Sequence, residues 1–340
     1  MALTGLSGLD ESFGHQLVAP RTQTQHLTER WAERTYYLLH VAHDLTLNAG
    51  RQLYPQAGRW ATFAAAATPE RQYSVRAHDP YVPGSDPDPV QVGPLRLQVV
   101  DPLRQVRLQL DDPAFALAYD LTFTARFAPV AHEPTLIERE GEVLTHTVSF
   151  FQSGTFDGVV SLNGAERSIV DRAGFRDRSW GFRKHDGSPR RGLVLFAACE
   201  TADHAFYVLL HETASARRMY TGGWLLGPDG VLDTVRSAEH KLEFVDNLLV
   251  SGSLELTMES GDQRLLGFEV ENRLYLSGVG YSPEPARQAP GRDEFDLSQR
   301  GVVEQLDGQN DNGCRFQLDG EPGYGYVETG LGIHSRYRPG

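Results

Sequence analysis

The chain has 340 residues, 40% of them hydrophobic and 23% charged, enough for two globular domains with full cores. Its 45 acidic and 32 basic residues leave a formal charge of -13, which argues against nucleic-acid backbones and anionic membrane surfaces as partners. Two cysteines, Cys199 and Cys314, make neither a disulfide framework nor a zinc site, no apolar run approaches the ~20 residues of a membrane helix, and Met1 to Pro20 lacks a signal-peptide pattern, so a cytoplasmic protein is expected.

In chain order, Thr24 to Arg34 sets Leu27 and Trp31 on one side of a short helix. Thr35 to Asn48 reads as a strand with Tyr36, Leu38, His40, Ala42 and Asp44 on one face. Ala64 to Ala67 favours helix by propensity, yet it follows Trp60 and Phe63 among strand patterns, where packing can override propensity. Asp79 to Pro94, rich in Pro, Asp and Gly, is a loop. From Phe115 to Phe127 the period is two: Phe115, Leu117, Tyr119, Leu121, Phe123 and Phe127 share one face, and Asp120, Thr122, Thr124 and Arg126 the other. Leu254, Leu256 and Met258 alternate with polar residues in the same way, and Ser282 to Asp293 is a second loop.

Tight turns are predicted at Asn163-Gly164, Asp186-Gly187, Asp229-Gly230, Asp307-Gly308, Asn312-Gly313 and Asp319-Gly320. Helix evidence is thin, and the expected class is all-β. Strand patterns lie on both sides of residues 160–185, which divides the chain into two β domains, 1–165 and 166–340.

The densest motif is Gly174-Phe175-Arg176-Asp177-Arg178-Ser179-Trp180-Gly181-Phe182-Arg183. Charges so concentrated are buried only when each finds a partner. The motif therefore marks either a structural clasp or a reactive site. Together with Phe150 to Gly158 before it and Gly323-Tyr324-Gly325-Tyr326-Val327-Glu328 near the end, it resembles the AttH-like and hydroxyneurosporene synthase (carotenoid hydratase) superfamily. The resemblance spans most of the chain in layout and is specific in these segments. It implies two lipocalin-like antiparallel β-barrels side by side. It also implies chemistry on hydrophobic molecules, often isoprenoid: relatives add water to a carbon–carbon double bond or guide ring closure.

Such a hydration needs an acid strong enough to protonate carbon, a cavity that tolerates a cation, and a placed water. A carboxyl kept neutral in an apolar pocket supplies the first, and aromatic faces the second. Glu328 fits: in a strand it shares a face with Tyr324 and Tyr326, with an edge strand in solvent as the plain alternative. Asp177 is the second catalytic candidate. Arg176 and Arg178 flank it and Arg183 follows, which favours an ionised anchor, although in a strand Asp177 points away from both neighbours. Arg176, Arg178 and Arg183 are read as structural residues at the junction, and Trp180 as a plug at a barrel end with an arginine over its ring. The other reading is that the motif lines a cavity where the barrels meet.

Tyr36, His40, Asp44, Trp180 and Trp224 join Tyr324 and Tyr326 as candidate substrate contacts. His40 and Asp44 lie about 13 Å apart along a strand, too far for direct contact. His185, His204, His211 and Glu200 lack metal-ligand spacing, and no nucleophile elbow or phosphate loop is present, so neither metal nor cofactor is expected. The expected function is a cofactor-independent enzyme for a hydrophobic terpenoid-type molecule, working by acid-initiated hydration, cyclisation or isomerisation, with Glu328 as the acid. A non-catalytic lipid carrier and a pericyclase are the alternatives.

Overall fold

The computed structural model describes residues 5–15, 30–82, 85–86, 88–131, 134–139, 141–183, 191–280 and 288–339. The first half is β1 (Trp31–Val41), β2 (Leu45–Tyr54), β3 (Arg59–Ala67), β4 (Arg71–Pro80), β5 (Gln91–Val92), β6 (Leu95–Asp101), β7 (Gln105–Leu110), β8 (Leu117–Ala125), β9 (Val130–Ala131), β10 (Thr135–Arg139), β11 (Glu142–Leu162) and β12 (Ala165–Arg183). The second half is β13 (Leu193–Thr201), β14 (Ala205–Glu212), β15 (Arg218–Leu226), β16 (Leu232–Val245), β17 (Leu248–Met258), β18 (Gln263–Tyr275), β19 (Gly291–Asp296), α1 (Arg300–Leu306), β20 (Gln309–Leu318) and β21 (Glu321–Leu331).

The fold is the all-β pair expected from the sequence. Strands β13 to β18 close with β20 and β21 into an eight-stranded barrel. The other thirteen strands form one sheet ordered β19-β4-β3-β2-β1-β12-β11-β8-β7-β6-β5, with β9 and β10 on β11. That sheet curls around its own core, and its far strands meet through side chains: Thr62 Oγ1 donates to the Val92 carbonyl at 3.2 Å, and the Gly93 amide donates to Asp79 Oδ2 at 2.9 Å. The boundary at 165/166 falls at the start of β12, which pairs with β11 in the first sheet. β19 returns to pair with β4, so the C-terminal part also adds a strand to the first sheet.

Both interiors are filled. Tyr37, Leu47, Leu97, Leu108, Leu121 and Phe123 are among those packing the first, and Leu195, Phe206, Leu254, Leu266, Phe316 and Val327 among those packing the barrel. The alanine run lies in β3, where Ala64 and Ala66 face the first interior and Ala65 and Ala67 the seam between the halves. A strand buried on both faces accommodates small side chains at any propensity. Trp31 to Arg34, expected at the end of a helix, begin β1, and Thr24 to Glu29 lie outside the described residues. The expected strand Thr35 to Asn48 is broken by a turn at Ala42 to Asp44. Asn312-Gly313 is no turn but mid-strand in β20; Asp186-Gly187 and residues 281–287 lie outside the described residues.

The arginine-rich motif forms the second half of β12. Pleating sends Arg176, Arg178 and Trp180 to the inner face of the first half. There they hold the N-terminal segment, rather than joining the two halves as expected. Arg176 pairs with Glu11 at 2.8 Å and donates through Nε to Gln152 Oε1 at 2.7 Å. Arg178 pairs with Glu33 at 3.1 Å and donates to the Ser12 carbonyl at 2.7 Å. Glu33 in turn accepts the amides of Gly14 and His15, each at 2.8 Å. The Arg178 guanidinium lies 4.0 Å from the Phe13 ring centre, and His15 stacks on Trp180 at 4.0 Å. Phe13 completes an apolar cap with Leu53, Trp60, Tyr81 and Val92. Replacing Glu33 with Ala leaves Arg178 buried beside unanswered amides. The expected loss is about 3–5 kcal/mol in urea unfolding, whereas under about 1 kcal/mol would show that the segment is held by other means.

Candidate active site between the two halves

The odd-numbered side chains of the same stretch face the barrel. Phe175, Asp177 and Ser179 leave the first sheet on its outer side, with Tyr36 and Leu38 of β1 and Phe151 of β11 beside them. Tyr36 and Asp177 are cross-strand partners, as are Phe151 and Asp177. From the barrel, Phe196, Tyr207, Trp224 and Tyr326 point outward into the same seam. Their rings pack closely: Phe151 lies 5.7 Å from Phe175, 5.8 Å from Phe196 and 5.6 Å from Tyr207, and Tyr207 stacks on Trp224 at 5.9 Å.

Two further carboxyls enter this seam. Asp311 of β20 and Glu328 of β21 are direct partners across the barrel ladder. Asp311 is fully buried. The Tyr36 hydroxyl donates to its Oδ2 and accepts from Asn48 Nδ2 at 3.1 Å, so Tyr36 ties the first sheet to the barrel at this point. Glu328 is partly buried and accepts from Gln309 Nε2. One oxygen of Asp177 and one of Asp311 are buried with no hydrogen-bond donor among the described residues.

Burial dominates the electrostatics. It pushes the Asp177 carboxyl up to about 6, against the pull of Arg183, Arg34 and Arg178. Burial likewise raises Glu328 to about 6; the Gln309 hydrogen bond and Arg183 pull down, and Asp177 pushes up. Asp311 stands well above the ordinary carboxyl range, through burial first and the neighbouring Glu328 second. Burial also lifts the phenols of Tyr36, Tyr207 and Tyr326, which stay protonated donors. Two adjacent carboxyls in such a place share protons rather than both ionising. The expectation that the flanking arginines lower the Asp177 carboxyl is thus corrected: burial outweighs them and the shift is upward. Arg176 and Arg178 point to the opposite face and are paired with glutamates, so the seam's low polarity prevails over Arg34 and Arg183.

Other expectations are redistributed. The face of β21 that carries Tyr326 and Glu328 points out of the barrel into the seam, not into the barrel. Tyr324, on the same face but nearer the β20–β21 hairpin turn, is 48% exposed and lies outside the cluster. Trp180 belongs to the N-terminal clasp on the other side of the sheet. Asp44 sits in a turn, exposed and paired with Arg167 at 3.1 Å, so it forms no relay with His40. His40 faces the seam away from the carboxyls, within 3.2 Å of both Thr46 Oγ1 and Glu271 Oε2 and seated on Gly313, whose missing side chain leaves room for its ring. Arg183 borders the carboxyls and, with Arg34, Arg59, Phe63, His78 and Val279, lines a cavity of about 330 Å³ that opens beside them. Among the histidine neighbours, His204 and Glu321 lie within 3.2 Å of each other at the surface, Glu200 pairs with Arg126 at 2.9 Å, and His185 lies outside the described residues.

Asp311 is the residue that sequence reasoning missed, because Asn312-Gly313 looks like a turn. The signal was present in Asp319-Gly320. Starting from the hairpin pair Leu318 and Glu321, seven residues back along each strand bring Asp311 opposite Glu328.

A family model described as a family of unknown function, DUF8625, matches residues 6–289. No curated protein matches the chain by sequence. Among solved structures, a protein described as AttH from Nitrosomonas europaea is similar with a TM-score of 0.57 at 12% identity, covering 93% of this chain and 97% of that one. Kievitone hydratase from Nectria haematococca is similar with a TM-score of 0.55 at 12% identity, covering 94% and 95%. CghA with Sch210972 follows with a TM-score of 0.52 at 12% identity, covering 88% of each chain. At this identity the likeness is one of fold, here a closed barrel beside a curled half-barrel sheet, and it agrees with the AttH-like, lipocalin-like layout implied by the motifs.

A raised carboxyl is a stability statement. Asp177 titrates near 6 when folded and near ~3.9 when unfolded, so the native state binds the extra proton between those values. Its contribution is present below about pH 4 and lost as pH rises through about 6. Asp177→Asn is therefore expected to stabilise the fold near pH 7 by an amount on the order of 1–3 kcal/mol, and to flatten the decline between pH ~4 and ~6, in denaturant titrations. Destabilisation near neutrality would instead mean that Asp177 serves as an anchored anion.

Proposed function

This chain belongs to the family of unknown function DUF8625, and we propose that it is a cofactor-independent enzyme that protonates a hydrophobic, isoprenoid-type alkene in the seam between its two halves. The observation that carries this reading is the Asp311–Glu328 pair: two carboxyls paired across the ladder beside a cluster of aromatic rings, both held above their ordinary range. Protonating carbon requires an acid that keeps its proton above the ordinary carboxyl range and lies next to the substrate, and burial favours that protonated form.

Glu328, the more accessible of the two, passes its proton to an alkene carbon. The π electrons form the new C–H bond and leave a cation on the neighbouring carbon. The rings of Tyr207, Tyr326, Phe196 and Trp224 are suited to stabilise that cation through their faces. Water attacks the cation, and its surplus proton returns to a carboxylate of the cluster, with Asp177 or Glu328 as the acceptor. The sum is alkene plus water to alcohol. Attack by a second double bond gives cyclisation, and loss of a different proton gives isomerisation; both start with the same protonation.

Kievitone hydratase shares the fold, which is consistent with hydration as the first reaction to test. A carrier gains nothing from raised carboxyls in its wall, and apolar side chains pack the interiors of both halves. The test is turnover of isoprenoid alkenes in oxygen-18 water. Product carrying the heavy oxygen indicates hydration, whereas products without it indicate cyclisation or isomerisation. Glu328→Gln and Asp311→Asn should each lower kcat by about 10²-fold or more with binding retained. Full activity in both variants would remove the acid pair from the mechanism. Because the acid must carry its proton, kcat is expected to fall as pH rises through about 6, not to rise.

A further inference from the structure

We propose that the cavity beside the carboxyls seats an anionic group, a carboxylate or a phosphate, carried by the substrate whose apolar part reaches the acid pair. This rests on reading the seam as the reactive site. Five guanidiniums line the cavity, those of Arg30, Arg34, Arg59, Arg76 and Arg183, and no carboxylate does so among the described residues. The concentration runs against a chain whose formal charge is -13.

The five are not equivalent. Arg76 is engaged by Asp293 at 2.5 Å and by the carbonyls of Gly278 and Ala289. Arg34, Arg59 and Arg183 form no ion pair with any described carboxylate. Arg34 Nη1 and Arg59 Nε are buried without an acceptor among the described residues, which is costly for charged donors and marks them as poised for one. Both guanidiniums lie by the Tyr54 ring, 6.0 and 4.8 Å from its centre, which restrains them at the cavity wall. Burial first, and then the charges of Arg59 and Arg76, hold His78 below its ordinary range. Guanidinium forks match carboxylate and phosphate oxygens in a bidentate fashion, and partly buried ones do so most strongly.

The cavity wall connects to the acid pair through two packed rings. Phe63 lines the same cavity and lies 5.8 Å from Tyr36, whose hydroxyl donates to Asp311. Arg34 and Arg183 belong to the cavity and also act on Asp177. A bound anion would absorb that field. The neighbouring carboxyls would then keep their proton to higher pH with the ligand seated, so the same group that anchors the substrate would prime the acid.

Isothermal titration calorimetry of the full chain near neutral pH compares three probes with one carbon skeleton: geranic acid, geranyl monophosphate and geraniol. At least one anion is expected to bind about tenfold or more tightly than the alcohol, a difference of about 1.4 kcal/mol. The tighter of the two anions distinguishes a carboxylate substrate from a phosphate. Arg59→Gln and Arg34→Gln should each remove most of that preference while leaving geraniol binding unchanged. Geraniol binding as tightly as both anions, or no binding by any probe, overturns the proposal without recourse to variants. Equal weakening of all three probes in folded variants also overturns it. Selective anion binding alongside undiminished turnover in Glu328→Gln would remove the acid and leave the anion seat standing. A dead Glu328→Gln variant without anion preference would do the reverse.

Discussion

Along β12, every second side chain enters the first half and those between face the barrel, a consequence of the two-residue period of a strand. Arg176, Arg178 and Trp180 go one way; Phe175, Asp177 and Ser179 go the other. The inner set is neutralised by Glu11 and Glu33 and capped by Phe13 and His15. With those charges spent, the outer face is free to be apolar around Asp177. A one-residue slip in the pairing of β1, β11 and β12 would exchange the two faces and put arginines into the seam. The ion pairs of the N-terminal clasp therefore guard the register on which the candidate site depends.

The site follows from a contest between burial and nearby positive charge. Either effect shifts a carboxyl by several units when it acts alone. Here Arg34 and Arg183 oppose burial at Asp177, and the outcome is still an upward shift. At Asp311 a neighbouring carboxyl adds to burial, and the shift is larger. The Tyr36 hydroxyl works the other way by donating to Asp311, which keeps some anionic character in the pair. A group of carboxyls balanced in this manner can hold one proton and accept another, the property that an acid-initiated reaction with water requires.

Two packed cores flank the junction. Phe206, Leu254 and Phe316 pack the barrel, and Phe123 and Leu108 pack the curled sheet. The outward faces of β13, β14, β15, β20 and β21 meet the outward faces of β1, β11 and β12. There the aromatic rings cluster, and Arg34 and Arg183, which act on Asp177, also line the arginine-rich cavity. The position explains why residues far apart in the chain, from Tyr36 to Glu328, converge on one place.

Much of this was legible from local pattern. Alternation marked the strands, Asn-Gly and Asp-Gly pairs marked most of the turns, and the motif from Gly174 to Arg183 carried the family resemblance. Tyr326 and Glu328 were correctly placed on one face, and Asp177 was correctly turned from its arginine neighbours, because a strand's period is a local property. What each face meets is not local. Whether β21 shows Glu328 to a barrel interior or to a seam depends on which side receives Val327 and the glycines around it, and only packing decides that. Solvent reaches Tyr324 and not Tyr326 for the same reason. The sequence by itself thus determined the strands, their faces and the residue types available for acid chemistry. The tertiary structure alone decided which of those residues share a dry space, since desolvation and charge coupling depend on distances between strands that no periodicity contains.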